Sequence, residues 1–499
     1  MNILIRGVDS IGGYQTKILN RIWERIPCDR CVIISRCRDR RDKFPKNKYI
    51  DIPYKEAGNW HSDSMEDLDA VPEWILTGMQ KYEGRIYETM IRECLLPVFT
   101  FEECKARYLN ELFYWYHIIT KHKIDYMIFH NAPHFMHDYV IYCLGTVLKI
   151  PTLLFMPSFF PGRLEWGTVY NQLGFSIEAK YKELIEKHAE VNLPPDLSDV
   201  YHKYRRGFEK EEFKKVNRNF RQMYETVRHN IVYLNKDNIA ARRKPIRNKI
   251  ISAKSIEERK RFIGEYLYDI DLTKRCKAYL KNTINIAEYD KYEHLSEKAL
   301  REKYIYYGLQ CSPESSLMPK LPVFYEQRHM IAILAKAAGK CGLKLYIKEH
   351  WNQPVREKQL YEFIRQFQNV RLFGPDESNI ALLKNSVAVS TGTGSCIMEG
   401  MFNGIPALTF GDGYWNGAPG VYRVSSEEDC RKAIQEIQGK KYEITDEKIM
   451  YYLQAVAEET VPMNLYQKMK FGSPFSDSES IENISEFIIN WIESNEREK

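Results

Sequence analysis

VAVSTGTGSCIMEGMFNGIPALTF, residues 387–410, is the stretch whose reading decides the fold. Val387 to Val389 predict a short strand, Ser390 to Ser395 a small-residue loop, and Cys396 to Phe402 a helix. Gly404 breaks that helix, and Ile405 to Phe410 predict a second strand. A strand that feeds a hydroxyl- and glycine-rich loop at a helix start is suited to anions, because the first helical amides lack partners and point at the loop. Gly392 and Gly394 allow close backbone approach, while Ser390, Thr391, Thr393 and Ser395 offer hydroxyls. Glu399, one helical turn beyond Ser395, could accept hydrogen bonds from a sugar while the loop holds phosphate. Taken alone, the pattern fits an ordinary glycine-rich turn equally well.

Its surroundings tip the balance. Lys303 to Leu309 predict a strand, Tyr325 to Cys341 a helix, Leu343 to Lys348 a strand and Val355 to Phe367 a helix. Val370 to Phe373 predict another strand and Asp376 to Lys384 another helix, leading into the opening stretch. This alternation predicts a doubly wound parallel sheet with its functional loops at the strand C-termini. Three loops fall there: Gln310 to Ser316, Lys348-Glu349-His350, and Ser390 to Ser395.

The first half repeats the alternation. Residues 2–8 predict a strand, Gln15 to Arg25 a helix and Cys31 to Ser35 a second strand. The turn Asp9 to Tyr14 contains Gly12-Gly13 but lacks the dinucleotide fingerprint. Residues 55–123 predict aromatic-rich helices, with Phe113 to Tyr116 read as core. Tyr126 to His130 predict a strand, Asn131 to His137 a loop, Asp138 to Leu148 a helix and Pro151 to Met156 a strand. HNAPHFMHD, residues 130–138, is the best acid/base cluster of this half, with His134 and Asp138 its foremost candidates and Asp9 the next. The competing reading is a surface loop with satisfied histidines.

At 499 residues the chain is too long for one core, and its 44% hydrophobic content supports large ones. The expected division is an N-terminal Rossmann-like domain over residues 1–175, a basic helical insertion over 176–300, a second Rossmann-like domain over 301–425, and C-terminal helices over 426–499 that pack back on the first domain. Residues 201–260 carry 18 Lys/Arg against 7 Asp/Glu, a net of +11, within a chain whose total is +6. A solvated helical face and a patch for anionic membrane or a lipid-linked acceptor both fit; nucleic acid is not expected, since no motif for it accompanies the charge. The 11 cysteines, an odd number, suggest reduced usage, and Cys28-Asp29-Arg30-Cys31 lacks the second ligand pair that zinc needs. No metal or other cofactor is expected. Asp67-Leu68-Asp69 and Asp269-Ile270-Asp271 have metal-like spacing but fall in helical segments. No apolar run approaches membrane-spanning length, so a cytoplasmic protein, peripheral at the inner face of the membrane, is expected.

Over residues 303–415 the chain resembles the capsule polysaccharide biosynthesis family, GT-B glycosyltransferases related to bacterial β-Kdo transferases. The matching residues are Leu309-Gln310-Cys311-Ser312-Pro313-Glu314 with Ser315, Lys348-Glu349-His350, Thr391-Gly392-Thr393, Glu399 and Gly404-Ile405-Pro406. Trp351 stands where the family has proline, and Gln310 where it has histidine. The resemblance implies a GT-B-like α/β fold: two Rossmann-like doubly wound domains facing a cleft, with helical insertions. It implies a metal-independent transferase that takes a nucleotide-sugar donor, a CMP-linked acidic sugar or a UDP-sugar, and builds a surface polysaccharide or lipid-linked glycan. The donor site would comprise Gln310, Glu314, Ser315, Lys348, Glu349, His350, Ser390 to Ser395 and Glu399. A UDP-sugar 2-epimerase or CDP-polyol phosphotransferase of the same fold, and a non-catalytic capsule-assembly partner, are the alternatives.

Overall fold

The computed structural model describes residues 1–6, 15–35, 49–53, 68–93, 100–133, 135–205, 220–289, 292–312, 323–350, 357–463 and 475–497, with Leu321 and Gln353. The Gly12-Gly13 turn, Asp9, His134, Glu314, Ser315 and Asp67 lie outside the described residues.

The first sheet is built on β1 (Asn2–Arg6), β2 (Arg30–Ser35), β3 (Tyr49–Pro53), β4 (Tyr126–Phe129), β5 (Thr152–Pro157) and β6 (Arg163–Gly167). Its order is β3-β2-β1-β4-β5-β6, and a short strand at Val461–Pro462 extends it beyond β6. β1 to β5 run parallel, while β6 and Val461–Pro462 pair antiparallel. The apolar runs that predict these strands exist because both faces are covered. Leu4, Val32 and Met127 pack on one side with the helices Glu73–Gln80, Glu83–Glu93 and Phe101–Lys121. Ile3, Ile5, Ile33 and Ile128 pack on the other with Gln15–Arg25 and Asp477–Arg497. Trp115, in the aromatic run, is fully buried and donates to Glu111 Oε2 at 2.9 Å, as a core residue should.

The second sheet comprises β7 (Tyr304–Gly308), β8 (Lys344–Lys348), β9 (Val370–Phe373), β10 (Ala388–Thr391), β11 (Ala407–Thr409) and β12 (Val421–Arg423). All are parallel, in the order β9-β8-β7-β10-β11-β12. Chain order reverses between β7 and β10, so the following helices leave to opposite faces there and open a crevice. Helices Gln327–Lys340 and Glu427–Gln438 cover one face of this sheet. On the other face Tyr304 and Tyr346 stack 3.9 Å apart, beneath Cys396–Phe402 and Asp446–Glu459. Both sheets are therefore doubly wound, the two-domain α/β architecture expected.

Several boundaries move for local reasons. The helix expected from Asp376 starts at Asn379, because the Ser378 hydroxyl accepts from Ala381 N at 3.0 Å and caps it. The helix expected from Asp138 starts earlier, at Met136, with Asp138 in its first turn accepting from Phe135 N at 3.2 Å. The helices Phe175–Glu186 and Pro195–Arg205 join the core of the second sheet, although they fall within the stretch read as insertion. A buried ion pair secures them: Arg163 Nε lies 2.6 Å from Asp196, and Arg163 also donates to Ala457 O at 3.1 Å. Among the described residues no helix is long and apolar enough to cross a membrane.

Candidate functional site: a crevice at the strand reversal of the second sheet

The C-terminal ends of β7, β8 and β10 bring the three expected loops together around a cavity of about 440 Å³. Gln310, Lys348, Glu349, His350, Thr391, Thr393, Gly394, Ser395 and Glu399 all line it. Parallel pairing does this directly, since Gly308 lies opposite Lys348 and Ser390 opposite Tyr307. The chain then leaves all three strands on the same edge.

The loop after β10 is held tightly. Thr391 Oγ1 accepts from Gly394 N at 3.1 Å, closing a small turn before the helix Cys396–Phe402. Gln310 Nε2 donates to Thr393 Oγ1, which ties the β7 loop across the crevice to the β10 loop. Gln310 is fixed in turn by Gln327, whose side chain accepts from Gln310 N at 2.9 Å and donates to Gln310 O at 3.1 Å. Gly392 has no room for a side chain: a Cβ there would stand 2.3 Å from Gln310 Oε1 and 2.4 Å from Leu321 Cδ1.

Lys348 is 4% exposed and donates to Pro375 O at 3.0 Å, so its ammonium is fixed at the crevice floor. Glu349 is turned inward: its carboxylate accepts from Tyr361 OH and from His350 N, the latter at 2.9 Å. That contact braces the loop carrying His350. Ser390 does not face the cavity; it lies in the body of β10, fully buried, with no hydrogen-bond partner for Oγ among the described residues. Glu399 accepts from Ser395 Oγ at 3.1 Å, and burial raises its carboxyl above the ordinary range despite that bond.

A half-buried carboxylate with little hydrogen bonding is costly to keep charged. Glu399→Gln removes that cost, so the ligand-free protein should be slightly more stable at neutral pH. The sign follows from the raised carboxyl, whose penalty sets in above the unfolded carboxyl pKa and is complete above the folded one. Denaturation midpoints of both proteins at neutral and acidic pH check this: the difference should shrink as pH falls and Glu399 takes up a proton.

Two lining groups carry no motif signal. Tyr306 OH donates to Asn379 Oδ1 at 3.2 Å and both residues line the cavity, whereas the stretch KYIYYGL predicts a strand and nothing more of Tyr306. Ser312 is locked by Gln353, which accepts from its N at 2.9 Å, and by Glu357, which accepts from its Oγ at 2.8 Å. Neither partner is visible from the loop itself.

In the first domain, Asp138 is 1% exposed and bound by Arg6, with Arg6 Nη2 2.9 Å from Oδ2 and Nε on Oδ1. His137 Nε2 lies 3.1 Å from the same carboxylate. Burial alone would raise Asp138; Arg6 and His137 overcome it and hold the carboxyl well below its usual range. Burial works against charge on His137, and Asp138 reverses that, so its pKa is raised. His130 completes the cluster, its N donating to Arg6 O at 3.1 Å. This is a latch joining β1 to the helix after β4. It makes Asp138 a poor proton acceptor for a ligand, unlike the expectation from HNAPHFMHD.

Of the remaining metal-like spacings, the described aspartate of each pair is held by a side chain. Asp269 is bound by Arg242 and Arg243 at 2.9 and 2.7 Å, and Asp69 lies 3.0 Å from His117. Burial pushes the Cys28 thiol up to about 11 and raises Cys31 well above its ordinary value, so neither offers a thiolate at neutral pH. Among the described residues no group of three or more His, Cys, Asp or Glu is placed to hold a metal.

No family model matches the chain, and no curated protein matches it. The likeness over residues 303–415 therefore stands on its motifs. Solved structures do align with it along its length. A UDP-GlcNAc 2-epimerase of Methanocaldococcus jannaschii, in complex with UDP-GlcNAc and UDP, is 11% identical over 98% of this chain and 99% of its own, with a TM-score of 0.25. The Neisseria meningitidis UDP-GlcNAc 2-epimerase bound to UDP-GlcNAc is 12% identical over 99% and 100%, with a TM-score of 0.25. A glycosyltransferase of Rickettsia africae is 13% identical over 99% of each chain, with a TM-score of 0.26. At such scores the overlaps carry no argument, and the fold assignment rests on the strand orders above.

Proposed function

We propose that this chain is a glycosyltransferase of the GT-B type that moves a sugar from a nucleotide-sugar donor to a surface polysaccharide or lipid-linked glycan. The observation that carries this reading is the convergence of the Gln310, Lys348 and Thr391–Ser395 loops on one crevice at the strand reversal of the second sheet. Lys348 supplies positive charge, and Lys348 and His350 supply hydrogen-bond donors, for the donor's phosphate, together with the amides that open Cys396–Phe402. Stabilising the departing nucleotide phosphate is the main electrostatic task of such a transfer. Glu399 accepts from sugar or ribose hydroxyls. The acceptor's base comes from the first domain, from His134 or Asp9, since the latch holds Asp138.

Calorimetry with CMP, UDP and CDP tests the donor site. His350→Ala should weaken the preferred nucleotide by about ten- to a hundredfold, the value of a charge-assisted hydrogen bond. Unchanged binding of all three would remove the assignment. Product analysis tests the reaction: free nucleotide supports transfer, whereas an epimerised UDP-sugar would make the chain a 2-epimerase.

A further inference from the structure

The helices Lys236–Ser252 and Ile256–Tyr289 form an antiparallel hairpin, with Arg247 Nη2 2.7 Å from Tyr266 OH and Lys249 Nζ 3.7 Å from Glu265. Its far end is tied to the first domain by Lys274, 2.6 Å from Glu103. Among the described residues nothing buries the turn end: Lys236–Ser252 has no buried residue. Ile251 is 79% exposed and Ile256 75%, one on each side of the turn, and Leu267 further along is 54% exposed. A soluble helix pair usually turns such side chains inward. Exposed Lys249, Lys254 and Arg259 lie within three residues of an isoleucine along the chain, and exposed Lys244 two helical turns before Ile251. Glu258, close to the turn, accepts from Lys254 N at 3.0 Å.

We propose that this turn inserts into the headgroup region of an anionic lipid bilayer, Ile251 and Ile256 entering the acyl boundary while the flanking lysines bind lipid phosphates. Exposed isoleucines with cations beside them in the chain suit that interface, apolar below and anionic above. A second copy of the chain would bring the same positive charge against itself, which disfavours self-association through this end. A nucleic acid would use the cations but leave the isoleucines in water. The inference is independent of the donor site.

Co-sedimentation of the full-length chain with vesicles tests it, comparing pure phosphatidylcholine with vesicles containing roughly a third phosphatidylglycerol. Binding is expected to the anionic vesicles only, and to fall as salt rises. Ile251→Asp with Ile256→Asp should lower partition by about tenfold or more, and Lys249→Glu with Lys254→Glu by a similar factor. Both pairs are exposed, so circular dichroism should show the fold intact. Absence of binding, equal binding to neutral vesicles, or insensitivity to either variant overturns the proposal. So does a concentration-dependent dimer that the isoleucine variant dissolves.

Discussion

Replacing Arg6 with alanine should cost about 3–5 kcal/mol of stability, among the largest effects of any single change in the first domain. The substitution leaves the Asp138 carboxylate buried without the guanidinium that binds both of its oxygens. It also severs the side-chain link between the end of β1 and the first turn of the helix Met136–Val147. Asp138→Asn should cost less, because the amide can still accept from Phe135 N. Urea denaturation checks this through the midpoint at constant slope. The pH dependence has a definite sign. Asp138 is depressed in the folded state, so its contribution is complete above the unfolded carboxyl pKa and is lost as pH falls below it. His137 is raised, so its contribution is present below the unfolded imidazole pKa and disappears as pH climbs past the folded one. The wild type should therefore lose stability in acid more steeply than Asp138→Asn. A parallel acid limb in the two proteins would dismiss the latch.

Gly392→Ala should disable the crevice while leaving the chain folded. The added methyl would collide with Gln310 Oε1 and Leu321, so either Gln310 swings out or the Thr391–Ser395 loop moves. Overpacking of this kind costs about 1–3 kcal/mol. The functional loss is greater, because the displaced loop is the one that holds phosphate in the proposed reaction; a shift near 1 Å lowers turnover by about a hundredfold. Gly404→Ala is the matching control. Nothing lies within 4 Å of a Cβ there, but φ is +72°, so alanine strains the backbone by roughly 1–2 kcal/mol without touching the cavity. Nucleotide binding by calorimetry separates the two: it should fail in Gly392→Ala and persist in Gly404→Ala.

The second sheet was legible because its strands are short apolar runs ending in small or polar residues, and two of the helices between them, Gln327–Lys340 and Asn379–Lys384, start at a capping side chain. Cys396–Phe402 and Val370–Phe373 fall where the pattern puts them. The crevice was legible for the same reason: parallel strands send their loops to one edge. What escaped is whatever depends on a partner distant in sequence. HNAPHFMHD looks like acid/base chemistry until Arg6, 132 residues away, is seen to own its aspartate. β6 carries Arg163 and Glu165, charged residues that argue against a strand, and Arg163 can be buried because Asp196, Ala457 O and Thr460 Oγ1 meet it. Glu349 looked like a ligand group because nothing in its own stretch announces Tyr361.

The helix Asp477–Arg497 covers the Ile3 and Ile5 face of β1, yet it is synthesised after both domains have been made. At about 5–20 residues per second, that face waits on the order of a minute for its cover during translation. The first domain thus emerges first and finishes last. Nascent chains paused after β12 should expose an isoleucine-rich surface to chaperones, and protease resistance of the N-terminal half should appear only once Ile481 to Ile492 have left the exit tunnel.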